Sequence, residues 1–166
     1  MVDYYQRNQA HFQPTDPPQP PGFLTAEYWE GRAERALEEL RVGSAVRFLI
    51  FLKDDHSKVI GTISLTQIAR GPFQAAFLGY GIDGQLQGRG LMTEALRAVI
   101  QYSFEQLQLH RLMANHLPEN LASARILQKL DFEREGLAKS YLFINGRWRD
   151  HVLNALVNPA PQQMRT

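Results

Sequence analysis

Gln85-Leu86-Gln87-Gly88-Arg89-Gly90 lies between an extended stretch, Ala75 to Ile82, and a run with helical periodicity, Leu91 to Leu107. Two glycines two apart let a ligand approach the backbone with no Cβ in the way. The helix that follows opens with free N–H groups and the positive end of its dipole. Strand, glycine turn and helix N-terminus together form a cradle for a pyrophosphate. The common nucleotide folds do not fit. A dinucleotide turn wants a third glycine, and Thr93 stands there instead. The Gly-Lys-Ser/Thr of a phosphate loop is absent.

Outward from this turn the hydrophobic period alternates between helix and strand. Residues 1–12 are polar and helical in pattern, and Pro14 to Gly22 holds five prolines, which predicts a loop. Thr25 to Leu40 reads as a helix capped by Thr25, with Tyr28, Trp29, Ala33, Ala36, Leu37 and Leu40 as apolar positions and Gly43 as its stop. Val46 to Leu52 and Val59 to Ile68 predict a hairpin around Asp54 to Ser57. The helix after the turn is expected to present Leu91, Ala95, Leu96, Val99, Tyr102 and Leu107 on one face. Arg111 to His116 predicts a strand, Asn120 to Leu130 a helix, and a strand starts at Phe132. Tyr141 to Ile144 and Trp148 to Val157 flank Asn145-Gly146, a type I′ hairpin signal. The order predicts an α+β fold with a mixed sheet.

Composition bounds the function. With 166 residues the chain suits one domain, expected over residues 1–158 with a tail at 159–166. A formal charge of +1 predicts no direct nucleic-acid partner. The lack of cysteine excludes disulfides and thiol nucleophiles, and favours a reducing, cytoplasmic setting. No apolar run reaches membrane-spanning length. The five histidines show no metal-ligand pairing, so no metal is expected.

Gln85-x-x-Gly88-x-Gly90 resembles the Arg/Gln-x-x-Gly-x-Gly/Ala signature of the GNAT superfamily of N-acetyltransferases. Tyr80-Gly81-Ile82, Gly88-Arg89-Gly90-Leu91-Met92-Thr93-Glu94-Ala95, His110 to Asn115, Asn120-x-x-Ser123, Leu130 to Phe132 and Gly146-x-Trp148-Arg149-Asp150-His151 are similar to its ribosomal-protein N-terminal alanine acetyltransferase branch. The resemblance covers about residues 3–158. It implies a central mixed, mostly antiparallel sheet flanked by helices. It implies acetyl-CoA as co-substrate, with the pyrophosphate on the backbone of Gln85, Leu86, Gln87, Gly88, Arg89, Gly90 and Leu91. The edge of Tyr80, Gly81 and Ile82 would pair with the pantetheine arm. Asn120 would hold the co-substrate or a water, besides capping its helix.

In many relatives a tyrosine protonates the departing sulfur, seven positions after the Asn120-type asparagine. That position here is Leu127. The resemblance makes Ser123 the replacement acid, with Asn120 as the other catalytic candidate. No base is evident: the position where a relative carries a glutamate is Leu142, and His116, Glu119 and Tyr141 are weaker candidates. An α-amine, with a pKa of roughly 7.7–8.0, asks less of a base than a lysine amine near roughly 10.4. A protein N-terminus, that of a ribosomal protein, is therefore the expected acceptor. A small-amine acetyltransferase and a non-catalytic acyl-CoA-binding or ribosome-assembly factor remain open, as does monomer against homodimer. Glu27, Glu30, Glu34 and Glu38 form a carboxylate stripe at helical spacing that a basic tail could follow, or water could cover. The family's usual first strand is missing before Asp3-Tyr4-Tyr5, so a truncated chain or misplaced start, with an exposed sheet edge, is expected.

Overall fold

The computed structural model describes residues 1–160. Two short helices, α1 (Val2–Arg7) and α2 (Gln9–Phe12), precede the proline loop and α3 (Ala26–Arg41). Three strands follow: β1 (Val46–Ile50), β2 (Gly61–Ala69) and β3 (Ala75–Ile82). A 3-10 turn at Gly84–Leu86 leads into α4 (Leu91–Glu105), β4 (Arg111–His116) and α5 (Leu121–Lys129). The chain closes with β5 (Glu133–Ile144) and β6 (Arg147–Val157). The six strands form one sheet in the order β1-β2-β3-β4-β6-β5. This is the expected α+β arrangement. Of the expected tail, residues 161–166 lie outside the described residues.

Local chemistry accounts for the elements. Thr25 Oγ1 accepts the Tyr28 N–H at 3.3 Å and caps α3. Asn120 Oδ1 accepts the Ser123 N–H at 3.0 Å and caps α5. Asn145 and Gly146 both have positive φ, as a type I′ hairpin requires. On α4, Met92, Leu96, Val99 and Ser103 form the buried line, at spacings of four, three and four. It packs with Ile63, Leu65, Leu78, Leu112 and Leu127 into the core between the sheet and α4 and α5. The expected face included Leu96 and Val99 but took Tyr102 and Leu107, which only flank this line.

Two expectations need correction. Leu37 and Leu40 are not core positions: they are 68% and 49% exposed. The inner side of α3 carries Tyr28, Trp29 and Ala36, because the helix packs on an aromatic cluster and the edge strand β1 rather than across the sheet. Phe132 to Ile144 is not a strand followed by a separate hairpin arm. β5 runs unbroken for 12 residues, with register shifts at Arg134/Gly136 and Ala138/Leu142 that let it follow β6.

The sheet has one parallel junction, and it is short. β3 and β4 pair at Ala75–Arg111, Ala76–Leu112 and Phe77–Met113, then part. From Leu78 onward β3 pairs only with β2, and from Ala114 onward β4 pairs only with β6. A wedge-shaped gap opens between their C-terminal ends.

Candidate active site

The gap holds a cavity of about 400 Å3 that reaches both faces of the sheet. Strand alternation assigns its walls. Gly79 and Gly81 face one side: a Cβ on Gly81 would lie 3.4 Å from Phe12 and 3.5 Å from the Tyr4 hydroxyl. Tyr80, between them, faces the other side and meets α5. Its hydroxyl is 2.7 Å from Ser123 Oγ. The α4/α5 wall thus carries Tyr80, Met92, Asn120, Ser123 and Ile126, and the α1/α2 wall carries Tyr4, Tyr5, Phe12, Asp16, Thr62 and Ser64.

The glycine turn borders the cavity through Gln87. Gly88 and Gly90 have φ of +74° and +82°, a region that side chains adopt only with strain, and Gly90 is the N-cap of α4. Glycine is required by this backbone shape, beyond the close approach expected from the sequence. Nothing lies within 4 Å of a Cβ built on either residue, so the space over the turn is open. Inside the turn the Gln85 N–H is taken by Asp83 Oδ1 and the Leu86 N–H by the Asp83 carbonyl; at the start of α4 the first N–H bonded back is Glu94 to the Gly90 carbonyl, which leaves Leu91, Met92 and Thr93 to offer theirs outward. A pyrophosphate fits this turn, and the unpaired edge of Tyr80, Gly81 and Ile82 suits an extended chain bearing amides.

The side chains of the turn divide. Leu86 packs on the core, whereas Gln85, Gln87 and Arg89 are exposed. Gln87 Nε2 lies 3.1 Å from His11 Nε2, so it ties the turn to α2. Two further ties run the same way. Arg7 Nε donates to Asp83 Oδ2 at 2.7 Å, and the Gly84 N–H donates to Asn8 Oδ1 at 2.9 Å. Burial works against the Asp83 carboxylate, but Arg7, Gln85 N–H and Asn8 outweigh it and lower its pKa.

The structure separates the remaining candidates. Leu127 is 1% exposed in the core and takes no part in the cavity. Burial pushes the Tyr80 phenol up to about 12, against the lowering effect of Ser123, so it stays protonated at neutral pH. This phenol was not legible as a site group from the sequence, where Tyr80 figured only as strand edge. His116 lines the cavity, and its Nδ1 donates to the Leu117 carbonyl at 2.9 Å. His151, which the sequence reading quoted but gave no role, also lines it. Glu119 instead binds Arg149 at the surface, and Tyr141 accepts from Asn115 Nδ2 at 3.2 Å outside the cavity lining. Leu142 is 44% exposed. Glu27, Glu30, Glu34 and Glu38 are all exposed and away from the cavity, with Glu38 paired to Arg41 at 2.7 Å. Among the described residues no group of three or more His, Cys, Asp or Glu could hold a metal ion, and no helix is long and apolar enough to cross a membrane.

Known proteins share this arrangement. The chain is 41% identical over 159 residues to the [ribosomal protein uS5]-alanine N-acetyltransferase of Escherichia coli, covering 96% of this chain and 81% of that protein. The crystal structure of the ribosomal-protein-S5-alanine acetyltransferase from Vibrio fischeri superposes with a TM-score of 0.91 at 39% identity, over 95% of this chain and 86% of that one. Mycobacterium smegmatis RimJ, solved in complex with CoA-disulfide, superposes with a TM-score of 0.87 at 29% identity, over 94% and 75%. Residues 3–133 match the acetyltransferase (GNAT) domain model. The chain, with its sheet parting after three parallel pairs, thus belongs to the GNAT acetyltransferase family.

Proposed function

We propose that the protein transfers acetyl from acetyl-CoA to the N-terminal α-amine of a protein, the N-terminal alanine of ribosomal protein uS5. The observation that carries this is the cavity open to both faces of the sheet. Co-substrate enters beside the glycine turn and acceptor enters beside α1 and α2. The two meet in the gap where β3 and β4 part, as direct transfer needs. The substrate class follows from relatives that carry this activity in their names. A cytoplasmic setting agrees with that substrate class.

The amine nitrogen attacks the thioester carbonyl, and the C–S bond breaks as the tetrahedral adduct collapses. The sulfur leaves with the electron pair and takes a proton from Ser123 Oγ. The Tyr80 phenol, 2.7 Å from that oxygen, orients it. At about 12 the phenol is protonated at neutral pH and can donate its hydrogen bond to Ser123 Oγ. Backbone N–H groups of the turn and of the α4 N-terminus hold the pyrophosphate. Asn120 fixes the first turn of α5, and through it the place of Ser123.

A small polyamine is a poorer fit. Such a substrate carries two or more ammonium groups, and Asp16 is the one carboxylate among the cavity-lining residues. The test is thiol release from acetyl-CoA across a panel of peptides beginning with alanine or serine, lysine peptides with blocked N-termini, and small amines. Turnover on the alanine-starting uS5 peptide is expected to exceed the others. Preference for polyamines or blocked lysine peptides would overturn the reading, and absence of thiol release with every amine would leave the protein a coenzyme-binding factor.

A further inference from the structure

The α1/α2 wall of the cavity holds two groups that the transfer steps leave unused. Tyr4 is 1% exposed, and its hydroxyl, with the Thr62 side chain beside it, makes no well-formed hydrogen bond. A buried hydroxyl left so is costly unless a ligand or water satisfies it. Asp16, from the loop after α2, lines the same cavity and is half-buried. Its one side-chain hydrogen bond comes from the adjacent Thr15 Oγ1 at a long 3.4 Å, and it forms no ion pair among the described residues. It is near enough for its charge to act on both Tyr4 and Tyr5. A half-buried carboxylate that lines the cavity without an ion-pair partner suits a ligand bearing an ammonium group.

We infer that Asp16 is the acceptor-amine residue: its carboxylate receives the ammonium of the incoming N-terminus and takes up its proton. This rests on the N-terminal amine reading above and supplies the base that the sequence lacks at Leu142. The proton account closes. One ammonium proton goes to Asp16 and on to solvent. The neutral amine then forms the C–N bond. Its second proton is lost as the adduct collapses, which balances the one given to sulfur from Ser123. Burial raises the Asp16 pKa from its ordinary value, against lowering by Thr15 and His11, which narrows the gap to an α-amine. The titratable groups around the cavity are His11, His116, His151, Tyr4, Tyr5 and Tyr80, and none of them forms an ion pair with Asp16.

Thiol release with an alanine-starting peptide is to be compared in wild type, Asp16→Asn and Asp16→Glu. Asp16→Asn is expected to lose about a hundredfold in kcat/KM for the peptide at pH ~7, with acetyl-CoA affinity unchanged. The loss should shrink to less than about fivefold near pH ~10, where the amine is already neutral. Asp16→Glu should retain an intermediate rate. A carboxyl whose folded pKa lies above its unfolded value costs stability at neutral pH, and that cost is relieved as pH falls through the folded value. The Tm of Asp16→Asn at neutral pH should therefore match or exceed that of wild type. A loss that is equal at every pH and accompanied by a lower Tm would assign Asp16 a structural role and overturn the inference. Wild-type turnover with an undiminished Asp16→Asn would remove Asp16 alone. No wild-type turnover on any α-amine would remove this inference together with the functional reading.

Discussion

The two walls of the cleft are built in opposite ways. The coenzyme wall is local: residues 80–91 run in one strand, turn and helix start, and Asn120 and Ser123 share one helix turn. Backbone does most of the work there, and the two left-handed glycines hold the N–H groups outward. The acceptor wall is scattered: Tyr4, Asp16, Thr62 and His151 come from four separate segments, and side chains do the work. Binding a constant ligand through backbone tolerates drift in side chains. Recognition of a particular acceptor does not, so specificity belongs on the second wall.

Substitutions on the coenzyme wall should break function outright. Gly88→Val places a β-branched residue at φ +74°, at a cost of about 1–3 kcal/mol in the turn, and fills the space over it. Acetyl-CoA binding measured by calorimetry should weaken more than about a hundredfold, and an unchanged Kd would show that the turn does not hold the coenzyme. Ser123→Ala should lower kcat by about a hundredfold with the KM for acetyl-CoA unchanged, since a positioned proton donor contributes on that order. Tyr80→Phe keeps the ring and removes the 2.7 Å contact to Ser123. A loss of about tenfold in kcat is expected, the worth of one ordinary hydrogen bond. If the Ser123 and Tyr80 losses add in the double variant, the two act separately and the pairing is incidental. The smallest effect should come from the acidic face of α3. Glu30→Lys with Glu34→Lys should change the peptide KM by less than about twofold, because exposed charges are screened. A larger change would extend the acceptor wall onto that helix.

The same contrast decides what the sequence made legible. β3 and β4 were readable to the residue, because Gly71-Pro72 and the glycine turn punctuate one and the apolar alternation of Leu112, Ala114 and His116 marks the other. The glycine turn and the Asn120 cap were readable because backbone conformation and capping impose residue type locally, whereas Ser123 stood out only through the family resemblance. Leu37 and Leu40 misled because a helix pattern does not say how much of its face a neighbour covers. The long β5 was hidden by its two register shifts, which interrupt the alternation that marks a strand. Asp16 and the Tyr80 phenol gave no signal. Nothing local asks for a carboxylate in a proline loop or a phenol in a strand; the parting of β3 from β4 gives each a use.

The ties from α1 and α2 to the turn have a consequence of their own. Arg7 to Asp83, Asn8 to Gly84 and His11 to Gln87 fasten the segment that carries Tyr4 and Asp16 onto the loop that carries Gly88. The two substrates therefore act on one mechanical body. Thermodynamic linkage makes the effect mutual: whatever free energy one substrate spends in tightening that body is returned to the other, in equal amount and whichever arrives first. Asn8, which donates to the Tyr4 carbonyl and accepts from the Gly84 N–H, spans the two segments with a single side chain.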